Sequence, residues 1–155
     1  MQHRILFVCT GNICRSPTAE GVARALAEKQ GVGHLFEFDS AGTVGYHAGE
    51  PPDPRAIAAA AKRGYDLAPL RARQVTEKDF FCFDYVLAMD RDHLKVLQKL
   101  CPPTHTNGLS LLLDYDDSTP EDEVPDPYYG GPEGFDAVLT LVENAAGQLI
   151  RRLAK

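Results

Sequence analysis

The sequence predicts an α/β domain with a mostly parallel sheet. Three observations lead there. Four apolar runs have the length of buried strands: Ile5–Val8, Leu35–Asp39, Tyr85–Met89 and Leu109–Leu113. The stretches between them carry helical periodicity with start and stop signals. The 155 residues suit one ordinary domain, 1–155, with no repeat, low-complexity tract or linker to divide it.

The elements follow in order. Ile5-Leu-Phe-Val8 is the first strand, and Thr10–Arg15 after it is a loop. Ser16-Pro17 opens a helix, with Ser as cap and Pro at the first helical position. Ala19, Val22, Ala23, Leu26 and Ala27 form its apolar face; Lys29 ends it, before Gly31 and Gly33. After the second strand, residues 40–53 read as a Gly- and Pro-rich loop. Asp53-Pro54 starts a second helix that runs to Lys62 and is closed by Gly64. A short capped turn at Thr76–Asp79 precedes the third strand. Asp90 caps a helix over 91–100, and a long amphipathic helix from Gly134 to about Leu153 closes the chain.

Composition narrows the class. Apolar residues make up 44% and charged residues 25%, the profile of a soluble globular domain. No apolar run reaches the length of a membrane span, and the N-terminal one is too short for a secretory signal, so a cytoplasmic location is expected. The four cysteines, at 9, 14, 82 and 101, are then expected as thiols, and no Cys/His spacing suggests zinc. Net charge is −6. Seven acids between Asp114 and Asp126 stand without a Lys or Arg, leaving 15 acidic against 16 basic residues elsewhere. That run is either a solvated loop or part of a site, and no basic stripe offers itself to nucleic acid.

The chemistry concentrates in Cys9-Thr-Gly-Asn-Ile-Cys-Arg15-Ser16. A loop of this length between a strand and a helix can curl its backbone N–H groups inward into an anion nest. The helix N-terminus adds the positive end of its dipole, and Arg15 adds a planar fork for two phosphate oxygens. Gly11 and Asn12 both tolerate the left-handed region such a curl demands. The same groups favour a thiolate at Cys9, and Ser16 is placed to donate to the sulfur. Spacing alone also fits a buried core cysteine; the strand–loop–helix setting favours the nucleophile. In sheets of this kind ligands sit beyond the carboxyl ends of the strands, where this loop lies. Asp126, between Pro125 and Pro127, is a general-acid candidate on a stiffened backbone, or else an ordinary turn Asp.

These residues resemble the low-molecular-weight protein tyrosine phosphatases. The resemblance spans nearly the whole chain through Val8–Glu20, Ser40-Ala-Gly-Thr43, Pro52–Ala56, Ala72-Arg-Gln74, Phe83–Asp90 and Asp126-Pro-Tyr-Tyr-Gly130. It implies a four-stranded parallel sheet with helices on both faces and the phosphate loop between the first strand and first helix. Cys9 would form a phosphocysteine, and Arg15 would stabilise the equatorial oxygens. Asp126 would protonate the leaving phenolate and then activate water. Thr10, Gly11, Asn12, Ile13, Cys14 and Ser16 would hold phosphate, with Asn12, Ser16 and Ser40 supporting the loop. Tyr46, Tyr128 and Tyr129 would wall a cleft deep enough for phosphotyrosine, although packing is the other reading of each. Cys14 would be a redox partner of Cys9, or a buried loop cysteine. No metal or organic cofactor is implied. The partners implied are a tyrosine-phosphorylated protein, such as a tyrosine kinase, and inorganic phosphate as product, with the enzyme a monomer.

Two positions depart from the family pattern. Tyr46 stands where many members carry Trp, and Leu70 where many carry His, which is expected to loosen the hydrogen bonds behind the loop. Two relatives share the loop. Arsenate reductases pass oxidation to further cysteines, which do not follow the third strand closely here. Protein arginine phosphatases tend to carry Thr where Ile13 stands and lack the paired tyrosines. A phosphate-binding module without catalysis would need neither Cys9 nor Asp126.

Overall fold

A computed structural model describes residues 2–155. Four parallel strands form one sheet in the order β2-β1-β3-β4: β1 His3–Cys9, β2 Phe36–Gly42, β3 Tyr85–Ala88 and β4 Leu109–Leu111. The helices are α1 Arg15–Lys29, α2 Pro54–Lys62, α3 Asp79–Cys82, α4 Arg91–Leu100 and α5 Pro132–Leu153. The expected sheet, with helices on both faces, is therefore present.

Burial explains why β1 reads as an unbroken apolar run. Ile5 and Phe7 face a core built with α1, α2 and α5, whereas Leu6 and Val8 face a second core with Phe80 of α3 and Leu97 of α4. All four β1 residues are fully buried, each contributing about 2 kcal/mol relative to exposure. A strand covered on both faces has no polar side to alternate with.

Strand order positions the site. The chain leaves β1 toward β2 and then returns to place β3 on the other side of β1, so the loops after β1 and β3 part at their carboxyl ends. That parting is the crevice where parallel sheets bind ligands. The loop after Cys9 and the turn at Asp90 both open onto it.

Four expectations are corrected. β2 does not stop at Asp39; it runs to Gly42 because Ser40, Ala41 and Gly42 pair in register with Phe7, Val8 and Cys9. A Cβ at Gly42 would lie 2.6 Å from the carbonyl oxygen of Thr10, so a side chain there would push the loop off the sheet. The fourth strand ends at Leu111 rather than Leu113. Leu112–Tyr115 turns into a 3-10 helix, held by Leu111 N donating to Asp114 Oδ2 at 3.2 Å. The turn buries Leu112 and Leu113 on the same side of the sheet, which a strand would forbid. Helix α1 begins at Arg15, with Cys14 as its cap residue and no side-chain cap; Ser16 is not its cap. It closes at Gly31 (φ 74°), and Gly33 instead opens a 3-10 turn. Asp53 and Asp90 do cap α2 and α4, accepting from Arg55 N at 2.8 Å and His93 N at 2.9 Å.

The acidic run is tied down rather than freely solvated. Arg91 bonds Asp122 through its guanidinium and Glu123 through its backbone N–H. Val124, fully buried, donates its N–H to Met89 O at 2.8 Å. This folds the segment back over the carboxyl end of the sheet.

Candidate active site

Between Cys9 and α1 the carbonyls face outward. Those of Cys9, Thr10 and Ile13 accept from the N–H groups of Thr43, Val44 and Asp53 at 2.9, 3.0 and 2.8 Å. The Cys14 carbonyl accepts the Thr18 hydroxyl at 2.7 Å. Among the described residues, no protein acceptor takes the N–H of Gly11, Asn12, Ile13 or Cys14. Buried N–H groups are almost always paired, so an arc of unclaimed donors over the mouth of α1 has the chemistry to hold an anion.

Asn12 shapes the arc. Among the described residues it alone of the non-glycines has positive φ, 59°, which asparagine tolerates. Gly11 does not use the left-handed region expected of it. Its lack of a side chain serves space instead, since a Cβ would meet the His47 ring at 3.0 Å. Asn12 Nδ2 donates to Ser16 Oγ at 2.8 Å and Ser40 Oγ at 2.9 Å, and its Oδ1 accepts from Arg73 N at 3.0 Å. Ser40 donates onward to Glu20 Oε1 at 2.6 Å. Burial pushes the Glu20 carboxyl up, against the hydrogen bond from Ser40 and the charge of Arg24. Leu70 takes no part in this network and packs against the apolar core instead.

Cys9 is 2% exposed, and its Sγ lies 3.0 Å from Ser16 Oγ. Ser16 Oγ is also 3.3 Å from Ala41 O. Its proton can therefore rest on that carbonyl beside a thiol and swing to the sulfur beside a thiolate. Arg15, 3% exposed, is clamped from behind: Nη1 donates to Asp90 Oδ2 at 2.9 Å and Val124 O at 3.1 Å. Burial would raise the Asp90 carboxyl, but the His93 backbone N–H and the hydrogen bond and charge of Arg15 hold it below its ordinary range. Asp126 Oδ2 stands 3.8 Å from Arg15 Nη2, with its side chain half-exposed, and its Oδ1 accepts from Tyr128 N at 3.0 Å.

One cleft gathers Cys9, Thr10, Gly11, Ile13, Cys14, Arg15, Tyr46, Asp126, Tyr128 and Tyr129, with Val44 and His47 in addition. Asn12, Ser16 and Ser40 lie behind the loop, buried, and their side chains do not line the cleft. Tyr46 and Tyr129 are 85% and 92% exposed, so packing does not account for them. The chain from Val8 to Arg15 and the chain near Asp126 are brought together from opposite ends of the sequence. The profile of the low molecular weight phosphotyrosine protein phosphatase family matches residues 4–155.

The chain belongs to that family. It is a low molecular weight protein-tyrosine-phosphatase, a cysteine-dependent hydrolase of phosphotyrosine. A Streptomyces coelicolor phosphatase of this class is 48% identical over 153 residues, covering 97% of this chain and 93% of that one. A protein tyrosine phosphatase structure from Entamoeba histolytica superposes with a TM-score of 0.95 at 38% identity, covering 99% and 97% of the two chains. The Bacillus subtilis protein YfkJ gives 0.93 at 37% identity, with 99% and 96% covered.

Four residues of this phosphatase site were not singled out by sequence reasoning. Arg55 is paired with Asp53 at 2.9 Å and donates to Tyr128 O at 2.9 Å, with its guanidinium over the rings of Tyr128 and Phe135. Asp90 carries only the signal of a cap in the sequence, yet it also holds Arg15. His93 and Val124 meet Arg15 from segments far away in sequence. Their only local signals were Asp90-x2-His93 at a helix start and the Asp53-Pro-Arg55 cap.

Proposed function

We propose that Cys9 is the nucleophile of this phosphatase, Arg15 its phosphate clamp and Asp126 its general acid and base. The observation that supports the reading most is the arc of unclaimed N–H groups around the mouth of α1, with Cys9 Sγ beside Ser16 Oγ. Phosphotyrosine enters between Tyr46 and Tyr128-Tyr129, the ester dianion in the arc and the ring among aromatics. The Cys9 thiolate attacks phosphorus as the bond to the phenolic oxygen breaks. Asp126 gives that oxygen its proton, which matters because a phenolate is a poor leaving group. Arg15 and the N–H groups bind the equatorial oxygens of the transition state. Asp126, now a carboxylate, takes a proton from water as water attacks the phosphocysteine. The sulfur–phosphorus bond breaks, and inorganic phosphate leaves with Cys9 restored as thiolate.

The substrate is a protein bearing phosphotyrosine, such as a tyrosine kinase, and the enzyme works as a cytoplasmic monomer without metal or organic cofactor. Among the described residues no helix is long and apolar enough to cross a membrane. Three of the most exposed aromatic residues sit at the cleft, where substrate rather than a second subunit would cover them.

The test is turnover of a phosphotyrosine peptide and of aryl phosphates of graded leaving-group acidity. Cys9→Ser is expected to lose activity by at least about a thousandfold. Asp126→Ala is expected to lose about a hundredfold or more on poor leaving groups and far less on good ones. Retained turnover in Cys9→Ser, or an Asp126→Ala loss that ignores the leaving group, would remove the respective assignment.

A further inference from the structure

We propose that His93, acting through Thr10, is a positioning residue that sets the orientation of Arg15 toward phosphate. The proposal rests on the reading of Arg15 as the phosphate clamp.

The geometry is a chain of contacts behind the cleft. His93 Nε2 lies 2.7 Å from Thr10 Oγ1 and 3.5 Å from Arg15 Nη2, while Nη2 also reaches Thr10 Oγ1 at 3.4 Å. The other ring nitrogen, Nδ1, is 3.1 Å from Asp90 Oδ1. That oxygen already takes the His93 backbone N–H at 2.9 Å, and Nδ1 is left without a well-aligned partner. His93 is 4% exposed.

Charge decides the tautomer. A bare Nδ1 lone pair would face a carboxylate at close range, and an Nε2–H would face the donors of Arg15. A proton on Nδ1 removes both repulsions, so Nε2 is the acceptor. Thr10 then donates its hydroxyl proton to His93 and turns a lone pair to Arg15. The Nη2 side of the guanidinium thus has a fixed acceptor, while Asp90 and Val124 hold Nη1. The Arg15 plane is defined from two sides, and its remaining N–H groups are aimed into the cleft.

The arrangement needs a neutral imidazole. Burial and then Arg15 push the His93 ring down to about 4, against Asp90 at the cap of α4, Asp92 in its first turn and Asp126 across the cleft. A protonated ring would present a donor to Thr10 and turn its hydroxyl toward Arg15, breaking the chain.

The experiment compares His93→Leu, His93→Gln, Thr10→Val and the Thr10/His93 double variant on a phosphotyrosine peptide. Inhibition by vanadate, which adopts five-coordinate geometry, is set beside inhibition by inorganic phosphate. His93→Leu is expected to lower kcat roughly tenfold or more with little change in KM. It should weaken vanadate more than phosphate. Gln places an oxygen where Nε2 stood, so it should restore most of kcat and remove one ionisation from the acid limb of the kcat/KM profile. Thr10→Val should match His93→Leu, and the double variant should be no worse than either. Wild-type kcat and vanadate affinity in His93→Leu would overturn the proposal, as would a Gln variant as impaired as Leu. Independent, multiplying losses at Thr10 and His93 would overturn it too. Should His93→Leu fail to fold, Thr10→Val and His93→Gln decide by the same criteria. Failure of the site reading itself is separate, because it shows as retained turnover in Cys9→Ser.

Discussion

At the scale of single residues, the site is a contest over where protons and hydrogen bonds go. Ser16 has the composition of a helix cap, yet its hydroxyl sits between Cys9 Sγ, Asn12 Nδ2 and the Ala41 carbonyl. α1 forgoes about 1 kcal/mol of capping and leaves its mouth open to an anion. The two loop cysteines are set apart by the same logic. Cys14 is pushed up to about 12, first by burial and then by Asp53, Cys9 and Asp126, so it stays a thiol at neutral pH. Iodoacetamide at pH 7 is therefore expected to label Cys9 and spare Cys14, with inorganic phosphate slowing the reaction; peptide mapping reads the outcome. Under peroxide, a Cys9 sulfenic acid would condense with the Cys14 thiol and release water. Inactivation should then reverse with dithiothreitol in the wild type and much less in Cys14→Ser, as recovered activity shows.

At the scale of elements, each piece of the site is borne by a different segment and fixed by its neighbour. The N-terminal turn of α2 links two of them. Asp53 N binds the loop carbonyl of Ile13, and Asp53 holds Arg55, which carries the Tyr128 carbonyl and ring. Arg55 is thus the strut between the phosphate loop and the segment of Asp126. Arg55→Ala is expected to lower kcat about tenfold on poor leaving groups and less on good ones, with Cys9 alkylation unchanged. An equal loss on both would show that the loop, not Asp126, had moved. Arg91 plays the matching part on the other side, tying Asp122 and Glu123 so that Val124 can reach Arg15.

At the scale of the whole molecule, site and stability are coupled through pH. His93 sits near 4 in the folded chain and near 6.5 when unfolded, so the unfolded state binds its proton first as pH falls. The contribution is full above about 6.5 and is lost progressively down to about 4, amounting to about 3 kcal/mol. Asp90, also held below its ordinary range, adds a loss that begins lower, as pH passes the ordinary carboxylate value. Urea unfolding at pH 7 and pH 4.5 should show wild type losing more stability than His93→Gln. Equal losses would mean that His93 is not buried neutral.

Much of this was legible before any coordinates. β1 reads as an apolar run because burial on both faces removes alternation, whereas β2 alternates over Phe36–Asp39, and Cys9-x5-Arg15 between strand and helix marked the loop proposed as the cradle. Asp126 and the paired tyrosines were visible as a stiff, polar, aromatic segment. Misread points were those where a local signal lost to a distant partner. Ser40–Gly42 looked like a loop because its Gly and small residues lack strand propensity, but pairing with Phe7–Cys9 decided it. Leu112-Leu113 looked like strand until both had to enter one core.

By itself, then, the sequence determined the order of elements, the residue types for thiolate chemistry and their placement at a strand's carboxyl end, since these follow from periodicity, capping and local spacing. Tertiary structure alone decided that Asp90, Val124 and His93 close on Arg15, that Arg55 supports Tyr128, and that Ser16 is not the cap of α1. The physical reason is that a hydrogen bond goes to whichever partner the packed chain brings within about 3 Å, and that partner here stands up to 109 residues away.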